Sequence, residues 1–176
     1  MKSKNPNRLT MVLFAAYLIL LIAVVIFKLP FYSGKLTDIR VVNLIPFKGS
    51  FDENGNFLIR EIFFNILLFV PLGVYLSLLK TNWSFKIKTI SVMCLSLLLE
   101  IIQFVFAIGR SDVTDVLSNT LGGIIGIAFC AVLGRAFKNK ATKIIRCLII
   151  ISTICALICF SYLFCLSHFS MMSPTA

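Results

Sequence analysis

Five long apolar stretches, separated by polar and basic segments, set the pattern along the chain: 9–27, 62–79, 87–107, 113–135 and 144–166. Each approaches the roughly 20 mostly apolar residues that an α-helix needs to cross a bilayer. The second is interrupted by Asn65 and Pro71, and the third carries Glu100 and Gln103. The fourth begins with polar residues. Pro71 lacks a backbone donor and is expected to kink its helix, which membrane helices tolerate when neighbours satisfy the freed carbonyl. Gly122 and Gly126 form a GxxxG pattern that would let the fourth helix approach a neighbour closely. The expected fold is an all-α integral membrane bundle of about five transmembrane helices, one domain over residues 1–176. The run from Leu9 is too long for a typical signal-peptide core, and no small-residue cleavage site follows it, so it is taken as a retained first helix.

Composition agrees. Of the 176 residues, 59% are apolar and the mean hydropathy is +0.99, against about 45–50% apolar in soluble domains. A chain this short could not hide that much apolar surface from water. Lys and Arg number 17 against 7 Asp and Glu, a net charge of +10. The basic residues fall between apolar runs and carry no nucleic-acid-binding signature, so they are taken as topology-setting charge beside anionic lipid. With the N-terminus inside, the inner segments hold eleven basic residues and the outer ones six, so the expected arrangement is N-terminus cytoplasmic and C-terminus outside. The six cysteines lie in or beside apolar runs, with no CxxC and no neighbouring histidine ligand, which argues for packing residues without a disulfide framework or zinc site.

Chemistry has few places to sit. The first outer loop is about 30 residues long, and loops of that length are usually functional or disordered. Its apolar, proline-broken centre, Val41 to Phe47, is expected on the membrane surface or in the outer leaflet. At ~1.5 Å per residue, Glu100, Asn119 and Asn65 each lie about 7–10 Å inside the outer ends of the third, fourth and second helices. Glu100 and Gln103 share a face, as do Asp112, Asp115 and Asn119, and a short link carrying Arg110 makes the two helices antiparallel neighbours. An ionisable group in hydrocarbon faces a partner or a wet cavity, which marks Glu100 as functional or as half of an ion pair with Arg110 or Arg60. Asp112 also suits a helix N-cap, and Asp112-Val-Thr-Asp115 resembles a capping box. Asn65 and Gln103 have an equally plain use as interhelical hydrogen-bond glue. A carboxylate pair such as Glu100 with Asp115 can do acid–base work or hold a divalent cation, yet nothing local requires a cofactor or metal.

Four segments in order carry a resemblance: Asn43-Leu-Ile-Pro-Phe47, Asn65-Ile-Leu-Leu-Phe-Val-Pro-Leu-Gly73, Glu100-Ile-Ile-Gln103 continuing to Gly109, and Asp112-Val-Thr-Asp115-Val-Leu-Ser-Asn119 continuing to Gly123. Together they resemble the VanZ-like family over positions 43 to 126, whereas the first and last helices match in character only. The resemblance implies a bacterial plasma-membrane protein giving low-level resistance to teicoplanin and similar lipoglycopeptides, independent of the altered D-Ala-D-Lac precursor. It names no reaction.

The reading that follows is an outward-facing polar site in the outer leaflet. Glu100 and Asp115 are candidate catalytic groups, and Asn43, Asn65, Gln103, Arg110, Asp112 and Asn119 candidate ligand-binding groups. The expected ligand is amphiphilic: a lipoglycopeptide, a lipid headgroup or a lipid-linked wall precursor, with membrane lipid as the surrounding partner and no nucleic acid. Two alternatives stay open. One is an integral-membrane enzyme of lipid or cell-wall metabolism that uses Glu100 and Asp115 as acid–base groups or cation ligands. The other is a non-catalytic packing or partner protein. A transporter fits less well, since five helices show no inverted repeat.

Overall fold

The computed structural model describes residues 8–27, 42–48, 59–106 and 111–172, excluding the side chains at 139, 155 and 159–172. Its helices are α1 (Arg8–Phe27), α2 (Ile59–Leu79), α3 (Phe85–Val105), α4 (Val113–Phe137) and α5 (Ala141–Met172). All five contain a span long and apolar enough to cross a membrane. Large apolar side chains such as Ile19, Leu98, Ile101 and Val132 stay exposed on the outside of the bundle. Only lipid can cover so much apolar surface, so the chain is a multi-pass membrane protein. α2 begins three residues before the expected position 62, taking Arg60 and Glu61 into its first turn, and α5 extends beyond 166. Ser84 caps α3 by accepting from the Ile87 N–H at 3.3 Å.

The most extensive packing joins α2 and α4. A Cβ added at Gly122 would land on the carbonyl oxygen of Ile66, and one at Gly126 on that of Val70. The constant offset between these partners shows that the two helices run parallel. A Cβ at Gly73 would strike the carbonyl of Gly123 in return. The glycines are therefore required on both sides, as the GxxxG spacing leads one to expect. α3 packs antiparallel on a neighbouring face of α4, where a Cβ at Gly123 would meet the Val92 side chain.

α1 and α5 are tied in by hydroxyls. Tyr17 donates to the Leu68 carbonyl at 2.6 Å, next to the Leu67 carbonyl that Pro71 leaves without its helical donor. Tyr75 and Thr153 share a hydrogen bond of 2.8 Å that joins α2 to α5. In the same core the Tyr17 ring stacks on Tyr75 and the Phe14 ring lies tilted against it, with centroids 5.3 and 5.2 Å from that of Tyr75. These buried hydroxyls are satisfied by protein, as hydrocarbon requires.

One feature departs from a purely helical plan. Val42–Asn43 (β1) pairs in parallel with Ser111–Asp112 (β2), Val42 opposite Ser111 and Asn43 opposite Asp112. This two-residue ladder holds part of the first loop against the start of α4.

Replacing Gly122 with Val would push α2 and α4 apart. Overpacking of this kind costs about 1–3 kcal/mol, and a lowered thermal midpoint of the detergent-solubilised protein is the expected result. Gly134, with open space around its Cβ position, should accept Ala without that loss.

Candidate functional site

The polar residues gather where α2 and α4 begin and α3 ends. Asp112 is the N-cap of α4, its Oδ1 accepting from the Thr114 N–H at 2.8 Å. In a local capping box, Asp115 would reach back to the Asp112 N–H. Here that N–H donates to Glu100 Oε2 of α3 at 3.0 Å. The expected local box is thus replaced by one closed across two helices. Ser111 reinforces the junction by donating its hydroxyl to the Glu100 carbonyl at 2.9 Å. Glu100 is 5% exposed, and the Asp112 N–H satisfies one of its oxygens there.

Asp115 is thereby released to face α2, where Asn65 Nδ2 donates to its Oδ1 at 2.6 Å. Asn119, two turns into α4 and 1% exposed, faces α3 and donates through Nδ2 to Ser96 Oγ at 2.8 Å. Its Oδ1 has no partner among the described residues. A buried acceptor left this way is open to a donor from a water or a ligand. The expected single stripe on α4 therefore divides: Asp115 bonds to α2, Asn119 to α3, and Asp112 to the loop.

That loop segment is a strap over the site. Asn43 Nδ2 donates to Asp112 Oδ2 at 2.9 Å, and Asn43 Oδ1 accepts from the Ile45 N–H at 3.3 Å. A turn follows, closed by Lys48 N–H to the Ile45 carbonyl at 3.2 Å. Pro46 and Phe47 form its corner. Phe47 has φ 64°, a region where a bulky side chain is an outlier, held only when its surroundings insist. The Phe47 N–H donates to Thr114 Oγ1 at 2.9 Å, which pins the strained residue to the first turn of α4.

Of the two uses open to Gln103, its contacts fit interhelical glue and not a place beside Glu100. It is fully buried, and its Nε2 donates to the Val25 carbonyl of α1 at 2.7 Å. Three residues along a helix rotate a side chain by about 60° from its neighbour's direction. That is enough to carry Gln103 from the α4 seam to the α1 seam, where it acts as interhelical glue. Arg110 lies outside the described residues. Among the described residues, no group of three His, Cys, Asp or Glu is placed to hold a metal. Cys94, Cys130 and Cys147 are free thiols.

Ser96, Ser111 and Thr114 belong to the site as much as the acids do, and residue type alone did not single them out. Ser96 lies four residues before Glu100 and Thr114 two after Asp112. Helical spacing from the acids was the available signal for Ser96, and the N-cap register for Thr114.

Removing the Glu100 carboxylate by Glu100→Ala strands the Asp112 N–H, a loss of about 1–3 kcal/mol. Glu100→Gln retains an acceptor and should recover most of it. Thermal unfolding of the two variants in detergent should therefore order them as wild type, Gln, Ala.

A family model described as VanZ/LLP1 matches residues 14–134. It starts within α1, which the motifs alone did not include, and stops before α5. Protein VanZ of Enterococcus faecium is 38% identical over 130 residues, covering 73% of this chain and 77% of that protein. No solved structure matches the chain. With the family match running through α4 and the relative sharing most of its own length, the chain belongs to the VanZ/LLP1 family.

Proposed function

We propose that this chain lowers the susceptibility of a bacterial cell to teicoplanin and related lipoglycopeptides by engaging an amphiphilic ligand at the polar site where α2, α3, α4 and the 42–48 strap meet. Membership of the VanZ/LLP1 family supports the resistance role. The observation that carries the site is the convergence of Asn43, Asn65, Glu100, Asp112, Asp115 and Asn119 on one end of the bundle through hydrogen bonds of 2.6–3.0 Å. A cluster so rich in amides and carboxylates is costly in lipid unless its groups are paired, and the pairings draw α2, α3 and the 42–48 segment onto the start of α4.

Charge supports the orientation. Arg8, Lys80, Lys86, Lys88, Arg135, Lys138, Lys140, Lys143 and Arg146 belong to the opposite end of the bundle. The acidic Glu61, Glu100, Asp112 and Asp115 belong to the site end. The positive-inside rule favours the basic end in the cytoplasm, which supports a reading with the N-terminus internal, the site outward-facing and the plasma membrane as the working location. A ligand would then arrive from the outer leaflet.

Binding is favoured over acid–base chemistry at the carboxylate pair. Glu100 Oε2 is engaged by the Asp112 N–H and Asp115 Oδ1 by Asn65. Framework hydrogen bonds of this kind fix the position of each carboxylate, which suits recognition of a ligand.

Asp115→Asn leaves an oxygen for Asn65 and removes the charge. At unchanged membrane abundance, it should lose most protection against teicoplanin, read as the inhibitory concentration of cells expressing each protein. Vancomycin, which lacks the lipid, serves as the comparison. Full protection by Asp115→Asn and Asn65→Ala proteins would reject the site.

A further inference from the structure

The buried polar atoms that the bundle leaves unsatisfied divide by kind between its two ends. Among the described residues, Asn119 Oδ1 and Gln103 Oε1 are buried acceptors without a partner, and both belong to the half that holds the acids. The basic end holds the reverse. Ser77 Oγ, Thr89 Oγ1 and Arg146 Nε are buried groups able to donate, again without a partner among the described residues. Lys88 joins them: it stands in the first turn of α3, is 9% exposed, and its ammonium makes no hydrogen bond or ion pair among the described residues.

Three helices meet at this level. Gly123 of α4 stands against Val92 of α3 and Gly73 of α2. One turn toward the basic end from these contacts come Lys88 on α3 and Ser77 on α2. Cys130 of α4 faces both. Its thiol reaches toward the Val74 carbonyl at 3.9 Å, neighbours the Ser77 hydroxyl and stands in the field of the Lys88 ammonium.

The chain offers Lys88 no counter-charge. Positions 1–37, 62–99 and 116–176 contain no Asp or Glu. A lysine near a membrane surface can extend its stem and place its charge in water. Lys86, two residues earlier and exposed, is free to do so. Lys88 is enclosed by its neighbours, so a counter-ion must come to it, and a buried charge left unpaired is costly. A phosphate answers the whole set, with negative charge for the ammonium and several acceptor oxygens for the hydroxyl. Basic pockets between membrane helices hold lipid headgroups in this way. Depth agrees, since Lys88 lies three residues, or ~5 Å, inside the start of α3, near the plane where headgroups meet hydrocarbon.

From this juxtaposition we infer that the α2–α3–α4 junction at the basic end holds the phosphate of an anionic phospholipid, with Lys88 as its charge partner and Ser77 as a neighbouring donor. The bound headgroup ties three helices together at the end opposite the polar site. The inference holds for either orientation of the bundle, because the basic end meets a membrane surface in both. It does not draw on the ligand reading given under Proposed function.

The test uses the full-length protein in nanodiscs of phosphatidylcholine with added phosphatidylglycerol, followed by native mass spectrometry of the lipid retained on release. Wild type should keep phosphatidylglycerol in preference to phosphatidylcholine. Lys88→Met preserves length and removes charge, and should weaken that binding about tenfold, equivalent to about 1.4 kcal/mol. Lys88→Arg should keep most of it, and Lys86→Met nearly all. In wild-type protein, phosphatidylglycerol with a photoreactive group on its headgroup should label peptides containing Ser77, Lys88 or Cys130. Inorganic phosphate in large excess should leave the lipid in place.

Unchanged retention by Lys88→Met overturns the inference. So does an equal loss in Lys86→Met, which would make the attraction diffuse, and so does equal retention of phosphatidylcholine. Displacement by inorganic phosphate would mark the ligand as a soluble phosphate and end the lipid assignment. Labelling confined to other segments also overturns it, and that measurement needs no substitution, so misfolding of a variant cannot shield the proposal.

Discussion

The close approach of α2 to α4 is the contact on which the other features depend. At Gly73, Gly122 and Gly126 the helices meet backbone to backbone, leaving no room for a Cβ. Small residues are how membrane helices pack when no hydrophobic force separates protein from solvent. The short separation brings Asn65 within 2.6 Å of Asp115. A bulkier residue at any of these glycines would move the Asn65–Asp115 pair.

The polar site works as a set of braces between elements. α3 supplies Glu100 to the backbone of Asp112, α2 supplies Asn65 to Asp115, and the strap supplies Asn43 to Asp112. α1 and α5 are more than walls: Tyr17, Gln103 and the Tyr75–Thr153 pair tie them to the inner helices. Each brace satisfies a polar group that lipid could not, so the network that positions the site also helps to hold the bundle.

Much of the fold was legible because transmembrane helices announce themselves by length and apolarity. The antiparallel seam of α3 and α4 followed from their short connection, and the GxxxG spacing correctly marked a close approach. What the spacing could not name was the partner, since a small-residue pattern fits any helix that can come near. The site was legible at Glu100, Asn65, Asp112, Asp115 and Asn119, because polar residues inside apolar runs stand out. Gln103 was left open between the site and interhelical glue, because i, i+3 positions share a broad face yet can straddle two neighbours, and its bond to Val25 fits the second. The tertiary capping of Asp112 by Glu100 was not readable, since Asp115 stands at the position a local capping box would use. The parallel pairing of residues 42–43 with 111–112 left no signal either, being two residues long and dependent on α4 being in place.

The shared direction of α2 and α4 has an electrostatic consequence. Parallel helices present the positive ends of their dipoles together, each equivalent to about half an elementary charge. Glu61 and Asp115 lie in the first turns of these two helices, and Asp112 caps one of them. Two adjacent fields of the same sign favour the carboxylates at the starts of α2 and α4. The parallel seam therefore gives Glu61, Asp112 and Asp115 a favourable backbone field where they stand, and it depends on the glycines that let the two helices meet.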